Sequence, residues 1–323
     1  MIFFPADSLE RSQVERDYAH EQRAAVAAGF ETAIFDFDAL TRGESIEVVL
    51  RRVRPREGVT EAIYRGWMLT PENYSRLYFG LKNRGFSLVN MPENYEFCHS
   101  MPRNYELLKP LTPRTAWIER ERFETPDGVD SAPILAALEG FGDRAIIVKD
   151  YVKSQKHKWF EACFIPNCAD KSAVERVTRR FLELQGEFLS GGLVFREFVP
   201  LRAVGTHPQS GMPLTAEWRL FFFNGALMLS APYWSQGDYE GIEPDLTAFS
   251  ALATAIPSQF FALDVAQTEC GEWIVIELGD GQVSGLPKAE LAGEFYDALA
   301  RFQATLKNPA DADWRGAILP EIR

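Results

Sequence analysis

The stretch FALDVAQTECGEWIVIELGDGQVSGLP, residues Phe261–Pro287, holds two apolar runs of strand length, and each run carries one acidic residue. Asp264 lies in the first run, and Glu277 lies near the end of the second. If the runs form adjacent antiparallel strands, both carboxylates can face one cleft. Proteins hold Mg²⁺ through one or two carboxylates together with substrate phosphates. The stretch therefore predicts a pair of neighbouring strands with a metal site on them.

The apolar surroundings of the two acids support this interpretation. An unpaired carboxylate is costly to bury, and a metal ion or a basic partner is the usual solution. Asp280, in Gly279-Asp280-Gly281, is a third candidate ligand. The alternative for Asp280 is the commoner role of an aspartate between glycines, a turn former.

A cationic residue suited to phosphate lies upstream, in Glu217-Trp218-Arg219. Side chains alternate across a strand, so Glu217 and Arg219 share one face. Arginine binds phosphate through two parallel hydrogen bonds. We predict that Arg219 is catalytic and that Glu217 contacts the nucleotide, and the alternative is an exposed salt bridge between the two.

Basic residues gather around a predicted strand that ends at Lys149. The loop that follows, Asp150–Trp159, carries Lys153, Lys156 and Lys158. Lysines can surround a polyphosphate as point charges. The alternatives are a solvated strand end for Lys149 and a basic surface loop for the other three.

A third feature is the strand Phe195–Val199, which Pro200 ends. Proline cannot continue a strand ladder, so backbone groups of Glu197 and Val199 are left free to hydrogen-bond a flat heterocycle. An edge strand is the alternative.

The chain as a whole reads as α/β followed by α+β. The N-terminal part predicts a strand at IFFPA, a helix over Ser12–Ala28 and a strand over Glu31–Phe37, with further strands over Ile46–Val53 and Ala62–Leu69 and a helix over Pro71–Arg84. Prolines between Pro92 and Pro113 mark the boundary. We predict domains at 1–112 and 113–323, the second with two lobes and a hinge near 197–201.

The second domain reads as helices on antiparallel strands. Predicted strands are Ala145–Lys149, Leu193–Val199, Ala216–Phe223, Phe260–Val265 and Trp273–Leu278, and predicted helices are Ala132–Leu138, Asp170–Gly186 and Lys288–Leu306. Asn224-Gly225 predicts a tight hairpin.

Composition excludes some classes of function. The 323 residues have a formal net charge of −12, which argues against a protein that binds the nucleic-acid backbone. We expect no signal peptide and no membrane span. The four cysteines form no CxxC pair, which favours reduced thiols and a cytoplasmic location. The oligomeric state is open.

The order of these motifs resembles the ATP-grasp superfamily. The resemblance covers roughly Ala145–Pro287, and the N-terminal strand–helix–strand unit resembles the pre-ATP-grasp domain of that superfamily. It implies two α+β lobes that enclose a nucleotide cleft, with ATP and Mg²⁺ as cofactors. Gly279 stands where members commonly have an asparagine, and SQKHKW replaces a glycine-rich loop.

The resemblance also implies roles for individual residues. Arg219 faces the reacting phosphate, and Glu197 and Val199 hold adenine. The remaining matches are Lys149, Lys153, Lys156 and Lys158 to nucleotide phosphate, with Lys156 a catalytic candidate, and Asp264 and Glu277 to Mg²⁺.

The reaction that the resemblance implies is ATP-dependent ligation. A carboxylate, on a small molecule or a peptide, is activated as an acyl phosphate, which an amine then attacks. The acceptor carboxylate needs a cation, and Arg65 is our candidate, with a surface arginine as the alternative.

Two other functions stay open. Asp36 and Asp38 resemble the aspartate motif of haloacid-dehalogenase-type phosphatases, in which the first aspartate is the nucleophile. Ala39-Leu40 replaces the Gly-Thr of that motif. A nucleotide-binding module without ligase activity is the other alternative.

Overall fold

The N-terminal part of the protein forms a parallel four-stranded sheet in the order β2-β1-β3-β4. The structure is a computed structural model that describes residues 1–126, 128–208 and 212–307. The strands are β1 (Ile2–Pro5), β2 (Thr32–Phe35), β3 (Thr60–Tyr64) and β4 (Phe86–Leu88). The predicted α/β unit is confirmed.

The helices of this part are α1 (Ala19–Ala27), α2 (Phe37–Thr41), α3 (Ile46–Val49) and α4 (Pro71–Lys82). Helix α4 begins as predicted, with Pro71 in its first turn and Thr70 accepting a hydrogen bond from the Asn73 N–H. Helix α1 begins later than Ser12, because a 3₁₀ turn over Arg16–Tyr18 precedes it.

The strand predicted over Ile46–Val53 is wrong, because this segment contains helix α3. Its β-branched composition favoured a strand. The buried residues Val49, Leu50 and Val53, with Ile46 packed against them, follow the i, i+3, i+4, i+7 spacing of a helix. Periodicity, and not composition, decides this element.

Two short helices connect the N-terminal sheet to the rest of the chain. They are α5 (Pro92–His99) and α6 (Met101–Leu108), and each has a proline in its first turn. The predicted mixture of helices and turns over Pro92–Pro113 is therefore confirmed. Helix α5 packs against the last strand of the protein.

The first lobe is an antiparallel sheet in the order β5-β10-β8-β9. Its strands are β5 (Thr115–Glu119), β8 (Ile146–Asp150), β9 (Phe164–Ile165) and β10 (Gly192–Glu197), and β6 (Glu124–Thr125) and β7 (Gly128–Val129) pair separately. Its helices are α7 (Ser131–Ala137), α8 (Trp159–Ala162) and α9 (Lys171–Gln185). Helices α7 and α9 cover one face and leave the other toward the second lobe.

The second lobe is an antiparallel sheet in the order β14-β13-β15-β16. Its strands are β13 (Glu217–Phe223), β14 (Ala226–Pro232), β15 (Phe260–Gln267) and β16 (Trp273–Asp280), beside the ribbon of β11 (Ala203–Thr206) and β12 (Pro213–Thr215). Asn224 and Gly225 have φ of 51° and 75°, as the predicted hairpin requires. Its helices are α10 (Leu246–Ala255), which the sequence analysis did not predict, and α11 (Ala292–Lys307).

The two faces of the second sheet have different neighbours. One face bears Phe221, Phe260 and Ala262, which share a core with α11, α1 and strands β1 and β3. The other face packs on α10 and on Cys98 and Leu108 of the connecting helices. The charged residues of interest continue the first face beyond its apolar part.

The four cysteines are free, and Cys270 is the exposed one. None of the helices in the described part of the chain has the length and apolarity that a membrane span requires.

Candidate active site

Three charged residues form a row across three neighbouring strands of the second lobe. Arg219 on β13 lies directly opposite Asp264 on β15, and Asp264 lies directly opposite Glu277 on β16. Directly opposite residues of an antiparallel pair project to the same side of the sheet. The structure thus brings together both acids and the arginine of the predicted site.

Arg219 and Asp264 form a two-bonded ion pair. Arg219 Nε and Nη2 each donate to a carboxylate oxygen of Asp264 at 2.7 Å, and Nη1 donates to the carbonyl oxygen of Gly285 at 2.7 Å. The Tyr233 ring lies under the guanidinium at 4.9 Å. Burial raises the pKa of Asp264, and Arg219 opposes that rise. The pair holds the arginine at the surface of the sheet.

A β-bulge puts Glu277 on this face. Asp264 pairs with Glu277 while Val265 pairs with Val275, so Ile276 is an extra residue in β16. Without that extra residue, the side-chain alternation would turn Glu277 to the opposite face.

The Glu277 carboxylate has no hydrogen bond or salt bridge within the described part of the chain. Burial alone would raise its pKa, but Lys149, Lys156, Arg219 and His99 together lower the pKa below its usual value. An ionised carboxylate without a direct partner, beside Asp264, fits a hard divalent cation. These two residues are the ones that would hold Mg²⁺.

Lys149 faces this row from the first lobe. It lies on β8 and alternates with the buried Ile146 and Val148, so it projects toward the second lobe. Burial, together with Arg196 and Lys156, lowers the pKa of Lys149, and Glu277 opposes that effect. A lysine and an acid therefore face each other from the two sides of the cleft.

The three loop lysines differ in their surroundings. Lys156 acts on the carboxylates of Glu217, Asp264 and Glu277. Lys158 lies 4.0 Å from Glu161, away from that group.

The fold of the loop explains the difference. Asp150 is buried and accepts hydrogen bonds from the N–H groups of Val152 and Lys153, while Gln185 donates to its second oxygen at 2.6 Å. This turn places Lys153 at the exposed start of the loop and carries Lys156 toward the cleft.

Glu217 lies on the same face as Arg219, one position nearer the strand end. Its carboxylate accepts hydrogen bonds from the Thr215 hydroxyl and from Trp234 Nε1, the latter at 3.2 Å. Burial raises the pKa of Glu217.

The predicted adenine hinge lies at the end of β10. The Glu197 N–H donates to the carbonyl oxygen of Arg114 at 2.8 Å, and Arg144 lies 3.2 Å from the Glu197 carboxylate. The backbone N–H of Val199 has no backbone acceptor within the described ranges. Phe198 packs against Trp159 and Phe164, with ring centroids 5.8 and 5.0 Å away, so an aromatic cluster borders the hinge.

Asp280 does not join the other acids. It lies three residues after Glu277 on the same strand, faces the other side of the sheet and is fully buried. Its oxygens accept hydrogen bonds from Asn90 Nδ2 at 2.6 Å and from the Gln282 N–H at 2.9 Å. The prediction of a third metal ligand is corrected accordingly, and no cluster of three or more His, Cys, Asp or Glu suited to a metal occurs in residues 1–126, 128–208 and 212–307.

Arg65 is a structural residue rather than a substrate contact. It is 1% exposed, forms a two-bonded ion pair with Glu21 at 2.8 and 2.9 Å, and donates to the carbonyl oxygens of Gly281 and Ser284. Its donors are occupied, so it cannot receive an acceptor carboxylate. It fixes the loop that carries Gly285 beneath Arg219.

Asp36, the residue of the phosphatase alternative, is also engaged. It caps helix α2 by accepting from the Ala39 N–H at 3.0 Å and forms ion pairs with Arg11 and Arg51. Asp38 lies in the first turn of the same helix. This arrangement is that of a helix cap.

Two residues near the row were missed by the sequence analysis. Arg196 on β10 reaches across the cleft and donates to the carbonyl oxygens of Val275 and Ile276, and Thr112 donates to Val275 at 2.8 Å. Burial lowers the pKa of Arg196 to about 10. His99 acts electrostatically on Glu277. The charge of Arg196 within the apolar strand LVFRE was the signal available for it.

Comparison with known proteins assigns this arrangement to a class. Residues 140–299 match the model of an ATP-grasp domain family, the third family of its clade. A search of the curated proteins finds no significant match.

Solved structures share the fold at low sequence identity. A RimK-domain ATP-grasp protein from Sphaerobacter thermophilus matches with a TM-score of 0.57 and 16% identity, over 93% of this chain and 98% of that one. The D-cycloserine synthetase DcsG matches at 0.52 and 12%, over 93% and 99%. The ligase PsnB with its minimal precursor matches at 0.54 and 13%, over 94% and 98%.

The protein therefore has the ATP-grasp fold, and the resemblance noted in the sequence is confirmed. Within that fold, residues 140–299 are the part that the ATP-grasp domain family matches.

Proposed function

We propose that the protein is an ATP- and Mg²⁺-dependent ligase that joins a carboxylate to an amine. The observation that carries the proposal is the row of Arg219, Asp264 and Glu277 on one lobe, faced by Lys149 and Lys156 from the other. Cations and carboxylates on opposite walls of one cleft suit a magnesium nucleotide, whose phosphates need both.

Each residue has a distinct part in this proposal. Lys149 and Lys156 bind phosphate oxygens, and Arg219 neutralises charge on the transferred phosphoryl group. Bound Mg²⁺, held by Asp264 and Glu277, would neutralise further charge on the phosphates. The aromatic cluster beside Glu197 and Val199 suits adenine.

The proposed reaction has two steps. A carboxylate oxygen attacks the terminal phosphorus of ATP and releases ADP, which leaves an acyl phosphate. The amine then attacks the acyl carbon and releases inorganic phosphate. The protein contributes position and charge in both steps, with no covalent enzyme intermediate.

The substrates that we propose are a small-molecule or peptide carboxylate and an amine. Among the proteins of the same fold, PsnB has been solved with a precursor peptide and AMPPNP. We further propose a cytoplasmic protein that does not bind the nucleic-acid backbone.

Calorimetric titration with the non-hydrolysable analogue AMPPNP, with and without Mg²⁺, tests the nucleotide site. We expect binding that Mg²⁺ strengthens, and we expect Glu277→Gln to abolish that gain because the amide cannot supply a charged ligand. Glu272→Gln, an exposed acid in the turn of the same hairpin, is the matched control and keeps the gain. Equal Mg²⁺ dependence in Glu277→Gln and the wild type would contradict the proposal.

A nucleotide-binding module without ligase activity is the second candidate. The observation that favours it is the orientation of Asp280, which leaves two carboxylates at the row. A panel of carboxylates and amines with ADP release as the readout separates the two. Release that requires both substrates supports the ligase, and tight binding without turnover across the panel supports the module.

A further inference from the structure

His99, the last residue of α5, has a buried Nε2 atom without a hydrogen-bond partner within the described part of the chain. Its ring packs edge-on against Tyr95 with the centroids 4.6 Å apart, which holds the imidazole in place. Buried polar groups in native proteins are almost always hydrogen-bonded, and each exception calls for an explanation. A partner that arrives with a ligand is one such explanation.

The surroundings of His99 point to the kind of partner. Helix α5 packs against β16, and Glu277 and Lys149 are the two charges that act most on the imidazole. Neither the Glu277 carboxylate nor the Lys149 ammonium has a hydrogen-bonded partner among the described residues. Three polar groups therefore lie close together while none is bonded to another.

The protonation state of His99 limits its role. Burial lowers the pKa of His99 to about 4, with Lys149 adding to that effect, so the ring is neutral at neutral pH. A neutral imidazole donates one hydrogen bond and accepts one. It adds no charge to the cleft, so a direct hydrogen bond is what it can contribute to a bound anion.

We propose that His99 Nε2 donates a hydrogen bond to a polyphosphate oxygen of the bound nucleotide, between Lys149 and the cation held at Glu277. This inference rests on the proposed function, since it needs a magnesium nucleotide in the cleft. It assigns the connecting helix α5, outside both lobes, a direct contact with the nucleotide.

The main test is His99→Phe, which retains a ring against Tyr95 and removes both nitrogens. We expect the affinity for Mg-AMPPNP to fall about tenfold or more, because a hydrogen bond to a charged group is lost. We also expect the melting temperature of the nucleotide-free variant to equal or exceed that of the wild type, since an unpartnered buried polar atom is removed. Affinity within about twofold of the wild type would overturn the proposal.

Thr178→Val is the matched control. Thr178 is 1% exposed, and its Oγ1 is another buried atom without a partner among the described residues, in helix α9 of the first lobe. Valine has a similar shape and lacks the hydroxyl, so the affinity for Mg-AMPPNP stays unchanged. His99→Gln, whose amide N–H can reach the same oxygen, keeps more affinity than His99→Phe, and equal losses in the two variants would count against a hydrogen bond.

A measurement on an unaltered His99 covers the case in which His99→Phe does not fold. ¹⁵N spectra of a protein in which His20, His157 and His207 are glutamine report on His99 alone. We expect its Nε2 signal to move on addition of Mg-AMPPNP, and an unchanged signal in a protein that binds would overturn the proposal. A protein that binds no nucleotide at all would instead contradict the proposed function.

Discussion

At the scale of single residues, the candidate site follows from alternation along strands. The acids Asp264 and Glu277 interrupt apolar runs, and this pattern was enough to predict that they lie side by side. The sequence could not select the phosphate lysine, because the choice between Lys153, Lys156 and Lys158 depends on how Asp150 folds the loop.

The loop lysines give a prediction at this scale. Lys156→Ala is expected to weaken Mg-AMPPNP binding about tenfold, since a charge-assisted hydrogen bond to phosphate is lost. Lys158→Ala, with its ammonium directed to Glu161, is the matched control and binds as the wild type does. Calorimetry of both variants measures this, and a larger loss in Lys158→Ala would show that the wrong lysine has been assigned.

At the scale of elements, strand parity decides which acids can act together. Glu277 and Asp280 are three residues apart on one strand, so they face opposite sides of the sheet. The same count, applied to the sequence, would have excluded Asp280 as a ligand. The bulge at Ile276 had no comparable sequence signal, and helix α3 was lost because β-branched residues outweighed a helical spacing.

Asp280 gives a prediction about pH at this scale. Burial raises its pKa in the folded protein to about 7, against 3.8 for a free aspartate. Between these values the folded state holds a proton that the unfolded state has lost, so stability falls as the pH rises and is constant above about 7.

The variant Asp280→Asn removes this titration. The free energy of unfolding of the wild type, minus that of the variant, is expected to fall by up to about 4 kcal/mol between pH 4 and 7.5, at about 1.4 kcal/mol per unit of pKa shift. Urea unfolding of both proteins across that range measures the difference. A difference that is constant with pH would show that Asp280 is ionised throughout.

At the scale of the whole molecule, the N-terminal sheet and the second lobe are not independent. Phe295, Tyr296 and Leu299 of helix α11 share a core with β1, β3 and α1, and Tyr296 donates to the buried Glu21 that pairs with Arg65. The division at 112/113 stays a prediction. Proline spacing indicated where the chain changes character, but contacts between its two ends come from packing that no local pattern encodes.

This shared core predicts joint unfolding of the two parts. Phe295→Ala is expected to cost about 3–5 kcal/mol, because Phe295 is fully buried between them. Tryptophan fluorescence and far-UV circular dichroism are expected to give one coincident transition. Phe188→Ala, at a side chain 79% exposed in the first lobe, is the control and changes stability by less than about 0.5 kcal/mol. Two separate transitions would argue for independent domains.

The extra residue at Ile276 has a consequence for how this protein and its relatives are compared. An alignment without a one-residue gap before Glu277 would match the acid to a core position in a relative whose strand is regular. During evolution the insertion and the acid must be inherited together, since losing Ile276 alone would bury a carboxylate in the apolar core. Carbonyl oxygens held by Arg196 and Thr112 make that shift in frame costly to reverse.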